Sequence, residues 1–224
     1  MDRILRAGAG WEEAIADAIA RADRPIPLDE RLLPRNADGD ATRRSFDRAA
    51  FPPARRASTL LAIYPDDEGR LVIPLTVRHA DLRAHAGEVS LPGGAVDRAD
   101  ANPEAAALRE AWEEIGLDPA FVEPLGLLDA YETVTAFCVT PVVGWVRPGF
   151  EVTPQEAEVA DVFEVPLAFL MNEANHRRDH YDPPGGERRW FWSMPFEGRY
   201  IWGATAGMLR ALHRRLATAE EDAA

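Results

Sequence analysis

The sequence lacks lysine altogether, and all 25 of its basic residues are arginine. A phosphate contact from a positively charged side chain must therefore come from a planar guanidinium, which can hold two oxygens, and not from an ammonium group. The single cysteine, Cys138, excludes an intramolecular disulfide framework and is typical of a reducing compartment. Apolar runs of about 18 residues, the length that crosses a bilayer, are also missing. We therefore expect a cytoplasmic protein with no membrane partner.

A surplus of positive charge is missing as well, because the formal net charge of the 224 residues is −13. Nucleic acids and anionic membranes attract basic surfaces, so this balance argues against both as partners. It leaves room for a small phosphorylated substrate, since bound divalent cations reverse the local field. The sequence patterns of the P-loop, of the dinucleotide-binding fold and of the serine-hydrolase elbow are absent.

What the sequence does contain is an alternation of strand-like and helix-like segments. Residues 10–22 have the apolar spacing of an amphipathic helix, and residues 58–78 form two apolar runs joined by the turn-rich segment "PDDEG". Further β-rich runs lie in residues 122–148, and an aromatic hairpin and an amphipathic helix follow towards the end. The pattern predicts one mixed α/β domain with strands on both sides of a central helix.

The central helix follows the segment "LPGG" and has clear boundaries. Asn102 suits its N-cap and Pro103 its first turn. Gly116 suits its C-terminal end, where a left-handed residue is common. We therefore predict a short helix that begins after Asn102 and ends before Gly116.

This helix carries three glutamates on one face, Glu110, Glu113 and Glu114. Two carboxylates about 4 Å apart repel each other by roughly 4 kcal/mol at an effective dielectric constant of about 20. A solvated acidic face, with the carboxylates diverging into water, is one explanation. The glycines before the helix favour another, because they let main-chain carbonyls approach closely, and Mg²⁺ prefers oxygen ligands. We therefore predict that metal ions lie between the three carboxylates.

Residues 94–117 resemble the Nudix box of the Nudix hydrolases, G-x5-E-x7-R-E-U-x-E-E-x-G-U, in which U is a bulky aliphatic residue. The second half, "REAWEEIGL", matches except that Ala111 replaces the aliphatic residue. In the first half, Asp100 stands in place of glutamate, and one extra residue separates it from Arg109. The resemblance implies a Nudix-type α/β/α sandwich around a mixed β-sheet, in which Asp100 braces the loop.

A second stretch, "LTVRHADLRAHAGEVSLPGG", is similar to the signature of the coenzyme A pyrophosphatase branch of this family. The positions in register are Thr76, Arg78, Arg83, Gly87, Leu91, Pro92, Gly93 and Gly94, whereas Pro74 and His79 differ. The resemblance covers roughly residues 57–213. On this basis we divide the chain into an N-terminal helix with a surface extension (1–55), a Nudix hydrolase domain (56–216) and an acidic disordered tail (217–224).

The resemblance implies metal-dependent hydrolysis of a diphosphate linkage, most specifically that of coenzyme A or its derivatives. Glu110, Glu113 and Glu114, together with the carbonyl of Gly93, would hold Mg²⁺ or Mn²⁺. Arg109 would orient a glutamate through a charge-assisted hydrogen bond. The expected partner is thus a small-molecule diphosphate substrate, and the resemblance also implies a homodimer.

Three further residues are candidates for catalysis or substrate binding. Arg78 and Arg83 suit substrate phosphates, although arginine on an exposed strand commonly serves only solubility. Glu158 matches a glutamate that joins the metal site or acts as the base in this family, or it is one more acidic loop residue. The sequence leaves the base open between Glu110 and Glu158.

Two other functions compete with this prediction. One is hydrolysis of another nucleoside diphosphate compound by the same chemistry. The other is a Nudix domain that binds nucleotides without turnover. The presence of all three box glutamates argues against the second alternative, because a domain without catalysis has no need for their mutual repulsion.

Overall fold

The computed structural model describes residues 10–20, 55–81, 85–133, 135–184, 186 and 188–221, with side chains as far as residue 217. Its helices are α1 (Trp11–Ala20), α2 (Pro103–Ile115), α3 (Leu167–Leu170) and α4 (Gly203–Glu221). Its strands are β1 (Arg55–Pro65), β2 (Leu71–Arg78), β3 (Val89–Ser90), β4 (Gly93–Ala95), β5 (Val122–Leu127), β6 (Tyr131–Glu132), β7 (Phe137–Val146), β8 (Val159–Pro166), β9 (Arg177–Tyr181), β10 (Arg189–Phe196) and β11 (Arg199–Trp202). Arg83, a predicted phosphate contact, lies outside the described residues.

The larger sheet is mixed and has the strand order β3-β2-β1-β7-β5. β1 and β7 run parallel, whereas the other pairings are antiparallel. The C-terminal end of β1 pairs with β2 at Tyr64 and Pro65, and its N-terminal end pairs with β4 at residues 57–59. β1 and β2 therefore diverge, and β4 with its glycines lies in the gap between them.

Alternating side chains of β1 contribute to two apolar layers, one on each face of the sheet. Leu61 and Ile63 pack in the layer that contains residues of α1, α4 and the smaller sheet. Leu60 and Ala62 pack in the layer that contains α2, where Ala111 is buried. Helices therefore cover both faces of a mixed sheet, which confirms the predicted α/β/α sandwich.

The smaller sheet has the order β11-β10-β9 and lies with α1 and α4 on the same side of the larger sheet. In α1, the apolar spacing buries Ile15, Ala18 and Ile19, as predicted for an amphipathic helix. Residues 217–221, part of the predicted acidic tail, continue α4. No helix in the described segments is long and apolar enough to span a membrane. The domain boundaries and the homodimer stay predictions.

Candidate active site

The glutamates lie on α2, whose ends confirm the boundaries that the sequence indicates. The Asn102 side chain accepts a hydrogen bond from Ala105 N at 2.8 Å, and Pro103 occupies the first turn. Gly116 ends the helix in the left-handed conformation, with φ at 69°. These caps fix where the helix starts and stops, and the packing of Ala107, Ala111 and Ile115 in the core fixes which face carries the glutamates.

The glycine turn brings β1, β4 and α2 closer together than larger residues allow. Gly93 is paired with Thr59 and Gly94 with Ser58. Gly93 has φ at 155°, and a Cβ there would overlap the main chain of Ser58 and Thr59. A Cβ on Gly94 would overlap the carboxylate of Glu110. The turn therefore lies directly against the acidic face of α2.

Glu114 is the buried carboxylate of the site, with 4% of its surface exposed. Its Oε2 accepts a hydrogen bond from Gly93 N at 2.9 Å, and its Oε1 lies 3.6 Å from Arg78 Nη1. Burial raises the pKa of Glu114 to about 7, against the lowering effects of the Gly93 N–H and Arg78. The charges of Glu110 and Glu158 raise this pKa further. Gly93 N–H and Arg78 therefore hold Glu114 in place but do not offset the effect of burial on its pKa.

Arg109 connects the loop before α2 to the glutamates. Its Nε and Nη2 donate to the two oxygens of Asp100 at 3.1 and 3.0 Å, and Nη2 also donates to Ala95 O at 3.1 Å. Its Nη1 donates to Glu110 Oε1 at 2.9 Å and to Glu113 Oε2 at 3.0 Å. The hydrogen bonds with Asp100 raise the pKa of Arg109 and lower that of Asp100. Asp100 therefore braces the loop although its side chain is shorter than that of glutamate.

The three box glutamates differ in their exposure. The exposed fraction of the side chain is 16% for Glu110, 56% for Glu113 and 4% for Glu114. Arg109 holds the first two, whereas Gly93 N holds the third. In the described part of the chain, no group of three or more His, Cys, Asp or Glu side chains is spaced to hold a metal ion. The predicted roles of these glutamates as metal ligands stay predictions.

Glu158 lies near the same carboxylates, immediately before β8. Its negative charge raises the pKa of both Glu110 and Glu114. The loop that carries Glu158 is attached at two points: Gln155 N donates to Glu114 O at 2.8 Å, and His79 N donates to Glu158 O at 2.8 Å. The fold therefore brings together Arg78, Glu158 and the box glutamates from distant parts of the sequence.

The chemistry of these donors fits a hard divalent cation. Burial is the main cause of the raised pKa of Glu110, and the charges of Glu113 and Glu158 add to it. A bound cation would relieve this repulsion, and both Mg²⁺ and Mn²⁺ favour carboxylate and carbonyl oxygens. Without a bound cation, the negative charges of these carboxylates would repel an anionic substrate. The site is therefore suited to a cation together with a negatively charged substrate.

Two features of the site do not follow from sequence reasoning. The first is the hydrogen bond from Gly93 N to Glu114, because the sequence indicated a role for the carbonyl of this residue and not for its N–H. The second is the burial of Glu114 beside the more exposed Glu113. The adjacent glycines of "PGG" are the signal that could have indicated both, since they allow a side chain to approach the main chain closely.

Comparison with known proteins identifies relatives over most of the chain. A family model described as the NUDIX domain matches residues 54–183. A Citrobacter koseri protein described as "Uncharacterized Nudix hydrolase NudL" is 40% identical over 184 residues, which are 81% of this chain and 88% of that protein. The Escherichia coli K12 protein of the same description is 42% identical over 160 residues, 70% of this chain and 81% of that protein.

Two solved structures are also similar to part of this chain. The Nudix hydrolase RenU of M. smegmatis is 24% identical, with a TM-score of 0.44, and the match covers 53% of this chain and 74% of that one. A MutT/nudix family protein of Enterococcus faecalis is 16% identical, with a TM-score of 0.48, and the match covers 75% of this chain and 64% of that one.

Proposed function

The chain belongs to the Nudix hydrolase family, and we propose that its substrate is coenzyme A or a coenzyme A derivative. Hydrolysis of the diphosphate linkage would release 4′-phosphopantetheine and adenosine 3′,5′-bisphosphate. The observation that carries this proposal is the meeting of two matched patterns at one place. Glu114 of the Nudix box accepts a hydrogen bond from Gly93 and lies 3.6 Å from Arg78, both of which belong to the coenzyme A pyrophosphatase signature.

Nudix hydrolases generally depend on divalent metal ions, and the donors of this chain suit them. We assign the binding of Mg²⁺ or Mn²⁺ to Glu110, Glu113 and Glu114, with the Gly93 carbonyl and Glu158 beside them. When bound, such a cation neutralises diphosphate oxygens and lowers the pKa of the attacking water.

The arginines of the site have different tasks in this proposal. Arg109 orients Glu110 and Glu113 and is itself fixed by Asp100. Arg78 binds an oxygen of the diphosphate, because its guanidinium lies 3.6 Å from Glu114 and its buried Nε has no hydrogen-bond partner among the residues that the structure describes. A substrate phosphate would supply that partner.

We assign the proton acceptor to Glu158. Glu110 already accepts a hydrogen bond from Arg109 at 2.9 Å, which occupies its Oε1 and opposes the rise in its pKa that burial causes. Glu158 is exposed, and its loop is attached to both α2 and β2. Its carboxylate can therefore reach a water molecule at the diphosphate without breaking the Arg109 network.

The test is release of adenosine 3′,5′-bisphosphate from coenzyme A in the presence of Mg²⁺ or Mn²⁺, compared with a panel of other nucleoside diphosphate compounds. We expect Glu114→Gln to lower turnover at least about 100-fold. Its thermal midpoint should equal or exceed that of the wild type, because a neutral amide replaces a carboxylate whose pKa burial has raised. Glu123→Gln, on the exposed part of β5, is the matched control and should retain turnover.

Two outcomes would contradict the proposal. Turnover of other nucleoside diphosphates but not of coenzyme A would show that the substrate assignment is wrong. Undiminished turnover by Glu114→Gln would show that the role of this glutamate is wrong, whichever substrate is used.

A further inference from the structure

A groove of about 500 Å³ lies beside β8. It is lined by Tyr64, Val152, Pro154 and the β8 residues Ala160, Asp161, Val162 and Glu164, of which Asp161 is paired with Arg199. Ala160 follows Glu158 by two positions. One wall of the groove, the loop with Val152 and Pro154, is attached to the C-terminal end of α2, because Gln155 N donates to Glu114 O. The groove thus leads away from the carboxylates along the strand.

The main chain of β2 determines which hydrogen-bonding groups of β8 face β2 and which face the open edge of the strand. Arg78 N donates to Glu88 O at 3.0 Å, and Arg78 O accepts from Gly87 N at 3.1 Å. The main-chain groups of Arg78 therefore face the β3 side. Successive residues of a strand direct these groups to opposite sides. Val77 and Leu75 consequently direct theirs towards β8.

In β8, the residues opposite these two are Asp161 and Phe163. Their N–H and C=O groups therefore face β2, whereas those of Val162 and Glu164 point away from β2 at the open edge of β8, beside the groove. Within the described residues, β2 is the one strand paired with β8. An edge of this kind can pair with an extended chain that carries its own amide groups.

The side chains of the groove favour a neutral ligand. The Tyr64 hydroxyl donates to Glu164 Oε1 at 2.9 Å, and burial raises the pKa of Tyr64, so that it stays a donor. Val152 and Pro154 supply apolar surface. The negative charge of Glu164 disfavours a second phosphate or a carboxylate. The groove therefore suits an uncharged chain with amides and methyl groups.

The length of the groove agrees with such a chain. Four residue steps separate Ala160 from Glu164, which at about 3.3 Å each amount to about 13 Å. The pantetheine arm of coenzyme A has about 12 bonds between its phosphate oxygen and its sulfur, as many as four extended residues, and reaches about 14 Å. An arm that starts at the diphosphate would end near Tyr64 and Glu164.

On the basis of the function proposed above, we propose that the open edge of β8 binds the pantetheine arm of the substrate as an added strand. The amides of the arm pair with the main-chain groups of Val162 and Glu164. The sulfur end lies beside Tyr64 and Glu164. The adenosine 3′,5′-bisphosphate half, which carries further negative charge, lies outside this groove.

Val162→Pro tests the main-chain contact. Proline removes an N–H at the open edge of β8 and not one that bonds to β2. Val162→Ala is the matched control, since it shortens the side chain but keeps the N–H. We expect Val162→Pro to raise the Kd of 4′-phosphopantetheine about threefold to tenfold, as for the loss of one hydrogen bond. The Kd of adenosine 3′,5′-bisphosphate should change less than about twofold in both variants. Titration calorimetry measures both constants without turnover.

Glu164→Gln keeps a partner for the Tyr64 hydroxyl and provides a second test if Val162→Pro does not fold. The wild type should hydrolyse acetyl-coenzyme A with a lower KM than malonyl-coenzyme A, whose terminal carboxylate would lie near Glu164. The variant should reduce this difference while kcat stays unchanged, because the charge acts on binding and not on the reacting bond.

The proposal is wrong if Val162→Pro weakens both ligands equally or neither, if 4′-phosphopantetheine does not bind to the wild type, or if Glu164→Gln leaves the KM ratio unchanged. Turnover of coenzyme A by the wild type is measured in parallel. If the wild type hydrolyses coenzyme A but the substitutions do not affect binding of the pantetheine arm, only the assignment of the groove is wrong. If the wild type does not hydrolyse coenzyme A, the proposed function is wrong.

Discussion

A carboxylate in α2 and a carboxylate in the smaller sheet are held in opposite ways. Asp179 Oδ2 in β9 accepts hydrogen bonds from Ser193 Oγ at 2.5 Å and Tyr200 OH at 2.6 Å, and these bonds lower its pKa. Glu114 is buried among other carboxylates, and its pKa is raised to about 7. In the smaller sheet, hydrogen bonds from neighbouring side chains stabilise the charge of Asp179. In the α2 region, the hydrogen bond to Glu114 does not offset the effect of burial, which is typical of a site that awaits a ligand.

The same difference holds for the arginines of the two regions. In the smaller sheet and its turn, Arg188 pairs with Asp182, and Arg199 pairs with Asp161 of β8. In the α2 region, Arg109 is shared by several carboxylates. One guanidinium therefore restrains an excess of negative charge near α2, whereas the smaller sheet matches charges in pairs.

The largest effect is expected from Arg109→Ala, which would break this sharing. Loss of its hydrogen bonds to Asp100, Glu110 and Glu113 should lower the free energy of unfolding by about 2–3 kcal/mol. Turnover should fall at least about 100-fold, because the glutamates lose their orientation. Urea unfolding and the release assay measure the two effects.

Arg188→Ala is the matched control from the smaller sheet, where the pair with Asp182 is exposed. It should leave both turnover and the unfolding midpoint at the wild-type values, because exposed ion pairs contribute little. Equal effects of the two substitutions would remove the distinction between the regions.

A smaller effect, which separates activity from stability, is expected from two glycines. Gly94→Ala places a Cβ against the Glu110 carboxylate at a position that the backbone does not restrict to glycine, so turnover should fall about tenfold with little loss of stability. Gly198→Ala, in the turn between β10 and β11, meets no neighbour but has φ at 79°. It should cost about 1 kcal/mol of stability and leave turnover unchanged. The release assay and thermal unfolding are measured for both variants. A loss of both turnover and stability in each variant would contradict the prediction.

Local signals in the sequence were sufficient for the fold around α2. Asn102 and Gly116 determine the ends of the helix through caps that depend only on neighbouring residues. The apolar run along β1 predicted a strand, and its adjacent residues Leu60 and Leu61 are buried in different layers. These features could be predicted because their physical causes lie within a few residues of each other.

The site was predictable only where a family pattern linked distant residues. Glu158 approaches Glu114 because β8 pairs with β2, and this pairing depends on tertiary contacts that no local pattern encodes. The different exposure of Glu113 and Glu114 depends on how α2 packs on β4. Glu164 carries no sequence signal, because its place beside Tyr64 follows from the pairing of β2 with both β1 and β8.

The smaller sheet and α4 contain an exception to their matched charges, a pair of histidines. His213 is 5% exposed and packs edge-to-face on His176 at 5.0 Å between ring centroids. Burial lowers the pKa of both histidines. Nearby Arg210 lowers both further, whereas Glu173 opposes the shift. Both rings are therefore neutral in the folded protein near neutral pH.

The smallest predicted effect is a pH dependence of stability that originates in this pair and not in the active site. Below about pH 6.5, the unfolded chain binds protons on these histidines that the folded protein does not bind, so this contribution to stability is complete above that pH and is lost as the pH falls below it towards the lowered pKa values of the folded protein. His213→Phe keeps an aromatic ring at the position and should flatten this dependence by a few degrees of thermal midpoint. His85→Asn, at an exposed position, should keep the wild-type slope. A midpoint profile that is the same for the wild type and His213→Phe would instead assign the acid sensitivity to the carboxylates around α2.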